Sequence, residues 1–191
     1  METDAAVLTR LKSGDRDAYR ILVERHSRVV FRLAYRIVQN ETDAEDVVQE
    51  TFMRAYQHLD RFDMAASFTT WLYRIASNYA LDLLRARQRQ ATSTLTPNEE
   101  GEDPLATVVA HPGPSPDRLL MSREVEQRVA SAMETLSPQE RTAFVLRHFE
   151  GQSIEEIGTA LGASGAATKQ SIFRAVQKLR RALEPFMRAT V

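Results

Sequence analysis

Five of the seven prolines in this 191-residue chain fall between Ala91 and Asp117, and that clustering constrains how the chain can fold. Pro97, Pro104, Pro112, Pro114 and Pro116 stand among Glu99, Glu100, Glu102 and Asp103, and the helical recurrence of apolar residues stops over the same stretch. Proline inside a helix removes a backbone donor and clashes with the preceding turn, so a run of this kind reads as a linker. It divides a first block, residues 1–90, from a second, residues 118–191, with an acidic, Pro-rich connection over 91–117. Each block is near the lower size at which a helical core sustains itself, and 43% apolar residues suffice for two such cores.

Both blocks carry helix start signals. Thr42-Asp-Ala-Glu45, Ser137-Pro-Gln-Glu140 and Ser153-Ile-Glu-Glu156 each place a hydroxyl at an N-cap and a carboxylate three residues on, the capping-box pattern. Ser115-Pro116 and Ser137-Pro138 add proline at the first helical position, where its missing N–H costs nothing. No alternating strand pattern and no hairpin turn pair occurs. The predicted fold is all-α, two small helical domains joined by a flexible linker, with helices near 4–13, 15–39, 42–60, 67–89, 116–134, 138–149, 153–161 and 165–184.

The net charge of -1 does not advertise a nucleic-acid binder, but its distribution does. Asn40 to Glu50 holds five acids and no base, while Ser164 to Val191 holds Lys169, Arg174, Lys178, Arg180, Arg181 and Arg188 against the single acid Glu184, which suggests two different partners. The absence of cysteine removes disulfides, thiolate zinc sites and cysteine nucleophiles. His26 shares a line with Leu22, Val30, Leu33 and Ile37 and reads as a boundary histidine in a bundle; His111 and His148 lie apart, at no metal-ligand spacing. With no Gly-rich phosphate loop and no Gly-x-Ser-x-Gly elbow, no catalytic residue, metal or cofactor is expected, and the chain is read as a non-enzyme. The start, Met1-Glu-Thr-Asp, has no basic leader or hydrophobic run, and no stretch approaches the roughly 20 apolar residues of a membrane span. A cytoplasmic location is expected.

Three helical faces carry functional readings. On a wheel of residues 42–60, Ala44, Val48, Thr51, Phe52, Ala55 and Leu59 form the core side, and Asp43, Asp46, Glu50, Met53 and Gln57 the far side. That far side is either a solvated acidic face or, because Met53 sits among the carboxylates, a contact surface for a basic, partly apolar protein. In the helix from Phe68, the core line Phe68, Leu72, Ile75, Tyr79, Leu83 leaves a second stripe of Trp71, Arg74, Asn78, Arg85 and Arg89. Aromatic, amide and guanidinium groups on one surface suit single-stranded nucleic acid; the alternative is that Trp71 closes the core. The loop Asp60-Arg-Phe-Asp-Met-Ala-Ala-Ser67, with small residues beside Phe62, could close around an extruded base.

Residues 153–184 read as helix, turn, helix, with Leu161-Gly-Ala-Ser164 as the turn and Ser164 capping the second helix. Ile154, Ile157 and Leu161 are expected to face Ile172, Val176, Leu179 and Leu183. The predicted outward stripe is Ala167, Gln170, Ser171, Arg174, Lys178 and Arg181, small residues first and basic ones later. This suits a recognition helix in the major groove with flanking phosphate contacts, against the plainer alternative of a helical hairpin with a basic solvated face.

Four segments resemble the extracytoplasmic-function (group IV) sigma factors of the sigma-70 family: Gly14-Asp-Arg-Asp-Ala-Tyr19, Asp43-Ala-Glu-Asp-Val-Val-Gln-Glu-Thr-Phe52, Phe68-Thr-Thr-Trp-Leu-Tyr-Arg-Ile-Ala76 and Leu136-Ser-Pro-Gln-Glu-Arg141. The resemblance implies a region-two domain over 1–90 and a region-four helix-turn-helix domain over 118–191. It implies binding to core RNA polymerase, at the clamp of the largest subunit and the flap of the second, promoter recognition, DNA melting and transcription initiation. The clamp contact would involve Asp43, Asp46, Gln49, Glu50 and Met53. The minus-ten element would be met by Arg61, Phe62, Ser67, Trp71, Arg74, Asn78, Arg85 and Arg89, and the minus-thirty-five element by Ser164, Ala167, Lys169, Gln170, Ser171, Arg174 and Lys178. The linker would thread polymerase toward the RNA exit path, and an anti-sigma factor is an implied partner.

One departure matters: family members often read Gly-Thr-Val-Lys-Ser-Arg where this chain has Ala166-Ala-Thr-Lys-Gln-Ser171, which moves the weight of upstream reading from Ser171 to Gln170 and Arg174. Two rival readings are a stand-alone helix-turn-helix regulator, which would bind duplex DNA without polymerase, and a helical adaptor that titrates a partner.

Overall fold

The structure, a computed structural model, describes residues 2–93 and 128–189, which are helical with no strand among them. Helix α1 (Asp4–Lys12) is capped by Thr3, whose hydroxyl accepts from the Ala6 amide. Helix α2 (Ala18–Val38) starts three residues later than the periodicity suggests. Gly14 takes φ 103, Arg10 holds the Asp15 carboxylate at 2.7 Å, and residues 15–18 make a separate turn.

Gln39 ends α2 in the left-handed region at φ 56, and α3 (Glu41–Gln57) begins at once. Its cap is Asn40, whose side chain accepts from the Asp43 amide at 2.9 Å, so Thr42-Asp-Ala-Glu45 is the first turn and not the expected capping box. A 3-10 turn (Leu59–Arg61) leads to α4 (Phe68–Ser93), which runs beyond residue 89 into the start of the expected linker. The rest of that linker, and residues 116–127 of the helix expected over 116–134, lie outside the described residues; 128–134 are helical.

Then follow α5 (Pro138–His148), α6 (Ile154–Leu161) and α7 (Gly165–Ala189). Ser137 and Ser153 each form a complete capping box, with Glu140 and Glu156, which fixes where α5 and α6 start.

In the first module α2 lies against both α3 and α4, closing over Leu22, Val30, Leu33, Ile37, Val47 and Leu72, with Val7 and Leu8 of α1 packed on one side. Each of these side chains contributes about 1.5–3 kcal/mol by leaving water. His26 is buried and its Nε2 stands 2.8 Å from Asp4 Oδ2, so the boundary histidine ties α1 to α2.

In the second module α5, α6 and α7 enclose Val145, Leu146, Ile157, Ala175 and Leu179, with Leu161, Ile172 and Leu183 half-buried around them. The turn between α6 and α7 depends on two glycines. Gly162 has φ 61, and a Cβ on Gly158 would stand 2.8 Å from the Ala163 carbonyl oxygen and 3.3 Å from Thr168 Oγ1. The modules also touch each other, α6 against α4 and α5 against α2 and α4. No described helix is long and apolar enough to cross a membrane.

Candidate partner and nucleic-acid interfaces

On α3, Asp46, Gln49 and Met53 are exposed, Met53 by 50%. Glu50 is half-buried because Arg54, one turn on, holds it at 2.6 Å, and the Arg54 guanidinium lies 5.1 Å from the Tyr79 ring centroid. Asp43 does not share this face. It is 5% exposed and forms an ion pair with Arg87 of α4, so it binds α3 to α4 instead of facing a partner.

Beside Met53 a groove is lined by Arg16, Tyr19, Arg20, Phe52 and Tyr56. The Tyr19 hydroxyl donates to the Phe52 carbonyl, and burial pushes its pKa up, so it stays a donor. Tyr56, 43% exposed, is a surface aromatic that the sequence reading passed over; it lies one turn from both Met53 and Phe52.

The loop and α4 divide differently from expectation. Phe62 is 4% exposed, packed 5.0 Å from Trp71 and 5.5 Å from Phe68 between ring centroids, so it is a core aromatic and not a residue open to DNA. The large exposed apolar residue of that loop is Met64. Ser67 is exposed and its hydroxyl accepts from the Thr70 amide at the start of α4. Arg61, Arg74, Asn78, Arg85 and Arg89 are exposed, while Trp71 is half-buried, its ring partly committed to Phe62 and Phe68. Trp71 therefore closes the core with one side and leaves the other exposed.

On α7, Ser164 caps the helix by accepting from the Ala167 amide at 3.3 Å. Ala167, Lys169, Gln170 and Arg174 are exposed and Ser171 is half-buried. Lys178 is tied to Glu140 at 2.6 Å. Five of the six residues of the predicted outward stripe, Ala167, Gln170, Arg174, Lys178 and Arg181, are exposed, but Thr168 and Ala175 are buried along with Leu179, so the exposed face extends past the stripe to Phe173, 62% exposed and flanked by Lys169, Gln170 and Arg180. The spacing of Thr168, Ala175 and Leu179 would have revealed this had small residues been weighed with large ones. Among the described residues no group of His, Cys, Asp and Glu could hold a metal ion.

A four-helix block with an acidic methionine-bearing face and an aromatic-basic stripe, followed by a capped helix-turn-helix, defines a promoter-binding transcription factor. Residues 22–90 match the family model Sigma-70 region 2, and residues 126–179 match Sigma-70, region 4. The chain is 35% identical over 192 residues to the RNA polymerase sigma-H factor of Pseudomonas aeruginosa, covering 98% of this chain and 97% of that one. It is 34% identical over 186 residues to the ECF RNA polymerase sigma-E factor of Escherichia coli K12, covering 97% of each.

Among solved structures it is similar to CnrH in complex with the cytosolic domain of CnrY, with a TM-score of 0.64, 31% identity, and 96% and 99% of the two chains covered. It is similar also to the sigma factor RpoE in complex with the anti-sigma factor NepR from Bartonella quintana, with a TM-score of 0.64, 26% identity, and 89% and 97% covered. The chain belongs to the extracytoplasmic-function sigma factors of the sigma-70 family, and it is an RNA polymerase-binding, promoter-recognition factor for transcription initiation. A stand-alone helix-turn-helix regulator is not favoured, because the match includes region 2 as well as region 4.

Proposed function

We propose that the two modules divide initiation between three surfaces. Asp46, Gln49, Glu50 and Met53 of α3 take the clamp of core polymerase, with Tyr56 and the groove beside Met53 widening that contact. The stripe of Trp71, Arg74, Asn78, Arg85 and Arg89, with Arg61, Met64 and Ser67 at its mouth, receives the opened minus-ten strand. Indole and amide meet unstacked bases and the guanidinium groups meet phosphates.

On α7, Lys169, Gln170, Phe173 and Arg174 enter the major groove at the minus-thirty-five element, with Ser164 and Ala167 at the helix start beside the backbone. The phosphodiester chemistry is polymerase's, and the chain works in the cytoplasm without a cofactor. Because both solved relatives are held by partner chains, one described as an anti-sigma factor, an anti-sigma factor is proposed here too.

The observation that carries the reading is the α4 stripe, where a half-exposed indole shares one surface with an amide and three exposed guanidinium groups, of which that of Arg85 stands 3.6 Å from Asp82. Run-off transcription tests it. Purified core polymerase with this chain and a library of genomic start regions should yield discrete transcripts that core alone does not make; their absence across the library would refute the proposal.

A further inference from the structure

We propose that Lys12, the last residue of α1, is a phosphate contact of the minus-ten strand, with its ammonium at the mouth of the loop that leads into the α4 stripe. The inference deepens the assignment of that stripe given above and rests on it.

The loop from Asp60 to Ser67 is short of positive charge. It sets Asp60 and Asp63 against a single cation, Arg61. A strand that gives up a base from its stack must bend its backbone against the protein, and phosphate contacts supply much of the affinity of such complexes. The cation that the loop lacks comes from outside it. Lys12 Nζ donates to the Phe62 carbonyl at 3.4 Å, across 50 residues of sequence.

Both ends of that contact are held in place. Val7, Leu8 and Leu11 bury one side of α1, and Asp4 stands 2.8 Å from His26 Nε2, so the helix that carries Lys12 is fastened to the module. Phe62 turns its ring into the core, 5.0 Å from the Trp71 ring between centroids, and gives its carbonyl to Lys12. One residue thus links the ammonium to the indole that the stripe offers to a base.

The polar groups of the loop are already engaged, and Lys12 is not. Asp63 Oδ1 accepts from the Ala65 amide at 2.9 Å, which turns that carboxylate toward its own backbone, and the Ser67 hydroxyl accepts from the Thr70 amide. Lys12 is exposed, and among the described residues no carboxylate pairs with it. One bond to a neutral carbonyl leaves two of the three ammonium hydrogens for other acceptors. A phosphate oxygen is the better acceptor, because the bond is then assisted by charge on both sides.

The test uses holoenzyme assembled from core polymerase and the full chain, titrated with a promoter fragment found by run-off. The minus-ten element of this fragment is left single-stranded on the non-template strand. Lys12→Met keeps the apolar stem of the side chain and removes the charge. It should leave the thermal melt and the affinity for core unchanged. Binding of the fragment should weaken about two- to fivefold, the range for one exposed ion pair, and the slope of log affinity against log salt should flatten by about 0.7, one phosphate on a single strand. Lys12→Arg should keep the wild-type slope.

Methylphosphonate linkages, neutral in place of charged, are then introduced one at a time along the exposed strand. At the contacted linkage the exchange should weaken wild type and not Lys12→Met, so that the two bind alike. A deficit in Lys12→Met that persists at every neutralised linkage would overturn the proposal, because Lys12 would then only brace the loop. A salt slope equal to that of wild type would overturn it as well. Arg74→Ala, on the stripe itself, separates the two levels. If that variant also matches wild type in affinity and slope, the strand path on α4 falls; if it lowers both while Lys12→Met matches wild type, Lys12 alone is excluded.

Discussion

The ammonium of Lys178 stands 2.6 Å from Glu140 Oε2, the same oxygen that accepts the Ser137 amide at 3.0 Å, so a residue of the recognition helix is fastened to the cap of α5. Burial works to raise the Glu140 pKa, but Lys178 and the Ser137 groups outweigh it and hold the carboxyl below the usual glutamate range. A carboxyl depressed in the folded state adds stability that is complete above its unfolded value and is lost as pH falls through the folded one. Wild-type stability should therefore decline on acidification below pH 4.5, the unperturbed value. Glu140→Gln should cost about 1 kcal/mol at neutral pH, since Lys178 is partly exposed, and should flatten that acid limb. Denaturant melts of the two chains from pH 7 to 3 measure this, and parallel profiles would count against the coupling.

On α3, Asp46 and Met53 are exposed and neither packs the module, so changing both tests the surface without touching the core. Asp46→Lys with Met53→Ala should leave the thermal melt within about 0.5 kcal/mol of wild type, as surface substitutions do. Affinity for core polymerase should fall at least tenfold in a fluorescence titration. Equal affinity would place the clamp contact elsewhere.

Trp71 and Asn78 make a contrasting pair. Trp71→Ala removes ring contacts with Phe62 and Phe68 and should destabilise the first module by about 1–3 kcal/mol, below the full cost for a buried aromatic because the indole is half-exposed. Asn78→Ala lies on the surface and should leave the melt unchanged. Both should retain polymerase binding yet slow promoter opening, read as permanganate reactivity of unpaired thymines. A bubble that forms at the normal rate in the Asn78 variant would remove that residue from the strand path.

How much of this was legible in the sequence depended on how local each signal is. The Ser137 and Ser153 caps and the Leu161 to Ser164 turn rest on spacings of a few residues, and the structure agrees with them. Asn40 displaced Thr42 as the cap of α3 because α2 ends in the left-handed Gln39 and leaves no room for a longer connection. Asp43 looked like a surface carboxylate because its partner Arg87 is 44 residues away, and no local pattern relates the two. Lys12 and Phe62 are 50 residues apart, and their contact is equally invisible to a local reading. Phe62 passed for a loop aromatic because its neighbours Asp63, Met64 and Ala65 are exposed, while its own ring is drawn inward by Phe68 and Trp71.

The exposed face of α7 is wider than the predicted stripe, and the residue that widens it, Phe173, leads to the sharpest test. A wheel centred on Ile172 and Val176 points Phe173 sideways. The close approach at Gly158 instead seats Thr168 against α6, and with Ala175 also buried Phe173 lies on the outward face, between Lys169, Gln170 and Arg180. An exposed ring on a helix that enters the major groove can meet a feature read by apolar contact, the C5-methyl group of thymine. Replacing thymine by uracil at a single minus-thirty-five position removes only that methyl group. At one position it should weaken wild-type holoenzyme by roughly 1 kcal/mol, about fivefold, the scale of one buried methyl. Phe173→Ala should weaken binding to the thymine promoter by a similar amount and be indifferent to the uracil exchange, whereas Arg174→Ala should remain sensitive to it. If the Phe173 variant still distinguishes thymine from uracil at every position that the wild type does, the ring does not read the methyl, and its exposure serves another contact.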